Sequence, residues 1–178
     1  MKSLRSILLV LTVLALTSPL FAQEKKPRVS PHETVNATVG DAKITIVYGR
    51  PYTKDPKSRE KRKIWGGLVP FGKVWRLGAD EATLLTTDKD ITIGGTAIAA
   101  GTYSLYLWPE EGGAKLIVNK QTGQWGTKYD EKQDLARIDL KKEAAAKPAD
   151  QFTIAVDGST LKLMWEDVQY SAAMAAKK

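Results

Sequence analysis

An all-β fold, either an antiparallel β-sandwich or an open barrel of about eight to ten strands, is what this chain of 178 residues predicts. Three observations lead there. Apolar and polar residues alternate with period two through much of the chain after residue 63. Gly and Pro turn signals separate these runs at short intervals. No segment carries the apolar stripe of a three-turn amphipathic helix.

The elements follow in order along the chain. Residues 1–22 have the layout of a secretory signal peptide. Lys2 and Arg5 precede an apolar run from Ile7 to Leu16, Pro19 breaks it, and Ala22 supplies a small residue before the polar Gln23-Glu24-Lys25-Lys26. The apolar run is too short to span a bilayer as a helix, so a single β-sandwich domain over residues 23–178 is expected to be exported, periplasmic or extracellular, without a transmembrane segment after cleavage. An N-terminal arm carries His32. Lys43 to Tyr48 reads as a strand. The segment 50–63, RPYTKDPKSREKRK, concentrates cations around Pro51 and Pro56 and reads as a solvated basic loop.

Further strands are expected at Lys73 to Leu77, Thr83 to Thr87, Thr102 to Trp108, Lys115 to Asn119 and Leu135 to Leu140. Gly94-Gly95 joins Ile91-Thr92-Ile93 to Thr96-Ala97-Ile98 as a hairpin. Asp157-Gly158 joins the Phe152–Val156 run to the Leu161–Trp165 run as another. Ala144-Ala145-Ala146 before Pro148 reads as a connection of at most about one helical turn. The tail from Ala172 to Lys178 reads as frayed.

Composition removes several function classes. With 43% hydrophobic and 26% charged residues the chain is neither a disordered polyampholyte nor a multi-span membrane protein. It has no Cys and one His, which excludes disulfides, thiolate chemistry and any site needing two imidazoles. An exported domain without disulfides must be held by its core, which is feasible at roughly 150 residues. The Gly pairs lie between strands rather than before helices, so dinucleotide and nucleoside-triphosphate chemistry is not expected, nor is a cofactor. The formal net charge of +7 is concentrated in the 50–63 segment, which has little aromatic interleaving beyond Tyr52; nucleic acid is not an expected partner.

Three motifs occur in order: KIWGGLVPFGKVWRLGADEATLLTTDKDITIGG, AGTYSLYLWP and LIVNKQTGQWGTKYD. With the opening SPHETVNATVGDAKITIVYGRP, they resemble the bacterial domain of unknown function 2911 family from about Ser30 to Leu140. The resemblance implies an exported β-rich single domain and supplies no catalytic residues. The segment from Asp55 to Arg62 is longer than the family's link between Arg50-Pro51 and Lys63-Ile64.

The candidate site gathers at two bends. In Trp75-Arg76-Leu77-Gly78-Ala79-Asp80-Glu81, Arg76 points opposite to Trp75 and Leu77. It either pairs with Asp80 or Glu81 as a structural clamp or grips an external carboxylate or phosphate. Trp125, between Gln124 and Gly126, is either a platform for a sugar ring, with Asn119 and Tyr129 beside it, or a plug for the open end of the sandwich. The ligand-binding candidates are therefore Arg76, Asp80, Glu81, Asn119, Trp125 and Tyr129. The favoured function is a non-catalytic binding or structural module for an envelope glycan or other anionic ligand. The competing one is a hydrolase with Glu81 or Asp80 as general base, Asp130 or Glu166 as the second carboxyl for Glu81, and Arg76 as anion clamp. No metal is expected; a metal set of His32 with Asp80 and Glu81, and a nucleophilic triad using His32 without a nucleophile elbow, are equally minor alternatives.

Overall fold

The computed structural model describes residues 28–177, so the expected signal peptide lies outside the described residues. Nine strands form one antiparallel sheet: β1 (His32–Val39), β2 (Ala42–Gly49), β3 (Thr83–Thr87), β4 (Ile91–Ile93), β5 (Thr96–Ile98), β6 (Gly101–Pro109), β7 (Ala114–Asn119), β8 (Asp134–Asp157) and β9 (Thr160–Ala176). Their order is β1-β2-β3-β6-β7-β8-β9-β4-β5, and the sheet is not closed, because β1 and β5 do not pair. The all-β expectation holds. The only helical element among the described residues is a 3-10 turn, Glu131–Gln133.

β8 links two neighbours in the sheet. Its first part, through Leu140, pairs with β7, and from Lys141 onward it pairs with β9. Register shifts fall on either side of Ala149, next to Pro148, whose missing N–H cannot serve a ladder. The expected helical connection at Ala144-Ala145-Ala146 is thus strand, with Pro148 accommodated at an irregularity. One core results, joining Ile44, Ile46 and Tyr48 of β2 to Leu105 and Leu107 of β6 and to Leu161, Leu163 and Trp165 of β9. Trp75 stacks on Trp165 at 5.7 Å between centroids and meets Phe152 edge-on at 5.0 Å.

Three further expectations change. The N-terminal arm is edge strand β1, paired with β2 from His32↔Gly49 to Val39↔Ala42. Its side chains are mostly exposed or half-buried, as suits an edge, so the apolar signal is faint. The frayed tail is instead the end of β9: Met174 is buried and Ile93 pairs with it. Lys73 to Leu77 makes a single bridge, Trp75 to Leu107, with reciprocal N–H···O bonds of 2.8 Å. The left-handed φ of Leu77, +48°, turns the chain away directly afterwards.

The basic segment 50–63 is irregular and mostly exposed, as expected, but it is anchored. Thr53 is buried and accepts from the Trp165 indole N–H at 3.0 Å, while Arg50 pairs with Glu33 at 2.6 Å.

Candidate functional site

Alternation along β6 sends Leu105 and Leu107 into the main core and Ser104, Tyr106 and Trp108 to the opposite face. That second face is covered by loops. Tyr106 packs with Ala82 and Ile117, and Tyr129 lies against it at 4.8 Å between ring centroids. The Gln124 side-chain amide donates to Tyr106 Oη at 2.9 Å and to Ser104 Oγ at 3.1 Å. Tyr129 donates to Asp134 at 2.7 Å, and Arg137 donates to both. Burial, and then the Asp134 carboxylate as acceptor, push the Tyr129 phenol well above its ordinary range.

The WRLGADE corner is pressed against bare backbone. A Cβ at Gly49 would lie 2.4 Å from the Ala79 carbonyl oxygen, and one at Gly126 would lie 2.9 Å from that of Asp80. The QWG bend adds to this corner as a short strand would. Ala82 N–H donates to Gln124 O, Gly126 N–H donates to Asp80 O, and Glu81 bridges Trp125.

Arg76 does point opposite to Trp75 and Leu77, which are both buried. It lines a cleft of about 470 Å³ with Leu68, Val74, Tyr106, Thr127 and Tyr129. Among the described residues its side chain makes no hydrogen bond and no salt bridge (the expected structural clamp with Asp80 or Glu81 does not form). Glu81 is held instead by Arg28, whose guanidinium grips both carboxylate oxygens, Nη2 to Oε1 at 2.7 Å. That pairing lowers the Glu81 carboxyl to about 2. Asp80 faces the same group because its φ of +64° breaks strand alternation; adjacent residues that would point apart on a strand here point together.

The six candidates therefore divide. Arg76 and Tyr129 share the cleft. Trp125 is 48% exposed beside Gly126, a cleft residue, so it does not plug the sandwich. Asp80 and Glu81 belong to the group with Arg28 and His32. Asn119 is buried: it donates to Asp130 O at 2.8 Å and to Asp134 at 2.9 Å and accepts from Gln121 N–H. Asn119 holds the loop and is unavailable to a ligand. Asp130 accepts from Lys132 N–H at the 3-10 turn, and Glu166 pairs with Lys61. Tyr106 and Arg28 were not among the candidates; the SLYLW alternation carries the signal for Tyr106, and nothing local distinguishes Arg28 from its basic neighbours.

An open antiparallel sheet whose loops build a polar, aromatic cleft over one face defines the class. A model of the family described as protein of unknown function, DUF2911, matches residues 30–174, and the chain belongs to that family. No curated protein and no solved structure matches it.

Proposed function

We propose that this is an exported, non-catalytic binding module for an anionic envelope ligand, with an acidic glycan as the occupant of the Arg76 cleft. The observation that carries this reading is Arg76: a half-buried guanidinium without a carboxylate partner among the described residues, set between aromatic rings. A cation in such a place is already partly dehydrated, so an anion that reaches it gains more than it would from an exposed lysine. Tyr129 and the neighbouring Trp125 offer the apolar faces on which sugar rings rest, and the cleft volume is of the size that small ligands occupy. Export, the signal peptide and the envelope location are part of the same proposal and stand on residues 1–22.

The hydrolase reading is less well supported. A carboxylate held at about 2 by an arginine is a weak proton acceptor near neutral pH, and Arg76 is not its partner.

Retention on immobilised polygalacturonate, with a neutral glucan as control, tests the binding role. Arg76→Gln is expected to lose at least about tenfold in retention while keeping its melting temperature. Trp125→Ala is expected to lose severalfold with a stability change within about 0.5 kcal/mol. Unchanged retention in Arg76→Gln, or equal retention of the parent chain on the neutral glucan, would overturn the proposal.

A further inference from the structure

Three Lewis-basic side chains from two distant segments meet at the edge of the sheet, outside the Arg76 cleft. His32 opens β1, Asp80 and Glu81 leave the WRLGADE turn, and one donor atom from each lies within 4.8 Å of the others. His32 Nε2 is 3.3 Å from Asp80 Oδ2 and 3.5 Å from Glu81 Oε2. Neighbouring ligands in a tetrahedral zinc shell with bonds of about 2.0–2.1 Å stand roughly 3.3–3.4 Å apart, so His32 already stands at close to that spacing from each carboxylate.

The occupant of this point is a cation supplied by the chain. Arg28 bonds both Glu81 oxygens and brings Nη1 to 4.0 Å from Asp80, and the same Nη1 lies 2.7 Å from His32 Nε2 and 3.5 Å from Nδ1, against the imidazole ring. Two carboxylates gathered at one point would repel one another without a positive charge beside them.

We propose that His32, Asp80 and Glu81 form a divalent transition-metal site of the zinc class, and that Arg28 is a displaceable internal cation competing for it. One imidazole and two carboxylates suit Zn²⁺ and leave a fourth position open. Arg28 is displaceable because it is exposed: its side chain keeps 42% of its accessible surface, and pairs of that kind hold weakly in water. The proposal does not depend on the Arg76 cleft, whose lining includes none of these residues.

The chain has one His and no Cys, so its single imidazole reports the site without ambiguity. The experiment is a ZnCl₂ titration of the untagged chain, followed by calorimetry and by the ¹⁵N resonances of His32. Saturable one-to-one binding with a shift at Nε2 is expected. Arg28→Ala should bind about fivefold more tightly. His32→Ala and Glu81→Gln should each lose at least about tenfold, and Glu81→Gln keeps the imidazole as reporter should His32→Ala fail to fold. An imidazole unmoved by millimolar Zn²⁺ in both the parent and Arg28→Ala would overturn the site, as would undiminished binding in Glu81→Gln. Equal affinities for the parent and Arg28→Ala would overturn the competition.

Discussion

The two faces of the β6–β7 pair are built by the same alternation and finished by different means. On one face Leu105, Leu107, Leu116 and Val118 enter a continuous core closed by other strands. On the other, Ser104, Tyr106 and Asn119 are roofed by loops, and hydrogen bonds between these side chains and Gln124, Gln121, Asp130 and Asp134 hold the roof down. The aliphatic face asks only for volume and close packing. The roofed face must match its buried polar atoms, which it does for all but the Gln121 and Gln124 side-chain carbonyls among its described side chains, and it brings a guanidinium and aromatic rings to one cleft.

The contrast predicts a graded series of losses. Trp165→Ala, in the centre of the core face and against both Trp75 and Phe152, is expected to cost about 3–5 kcal/mol in urea denaturation. A cost under 1 kcal/mol there would remove the distinction between the faces. Asn119→Ala strips three hydrogen bonds from the roof. It is expected to cost about 1–3 kcal/mol, and to speed exchange of the Gln121 amide. A fully protected Gln121 amide in that variant would show that the roof is held by packing alone.

The smallest effect expected is in alkali. Burial raises the phenols of Tyr48 and Tyr170 on the core face and of Tyr106 and Tyr129 under the roof above their ordinary value of 10.0. A phenol raised on folding contributes stability that is complete below the unfolded value and lost as the pH climbs past it. Absorbance at the tyrosinate band should therefore rise for these four together with unfolding. Tyr129→Phe should shallow the alkaline loss of stability slightly, because the roof opens to solvent more readily than the core. Early, non-cooperative ionisation of Tyr106 or Tyr129 would mean that the roof is detached in solution.

Much of this architecture is legible along the chain, because a strand with one face in a core writes period two into its own residues. β2, β3, β6 and β7 and both glycine-marked hairpins fall where alternation and turn chemistry place them. The elements that escaped are those whose neighbours, not their composition, make them strands. β1 is a half-exposed edge, the alanine run of β8 has high helix propensity overridden by pairing, and the end of β9 is ordered by β4. Of the site, Arg76 was legible as the residue opposed to Trp75 and Leu77. Its freedom from Asp80 and Glu81 was not, since it depends on Arg28 arriving from 53 positions away.

What the amino-acid order determined by itself was periodicity: which side chains share a face, where the chain reverses, and which chemistries lack the residues they need. These are local properties, set by two-residue repeats, by glycine conformations and by counting. The tertiary structure decided the partners. The left-handed backbone at Asp80 turned two neighbouring carboxylates the same way, β1 brought His32 to meet them, and burial withdrew Asn119 while leaving Trp125 in solvent. Charge pairing and accessibility arise from contacts between segments remote in sequence, and only the folded sheet brings those segments within reach.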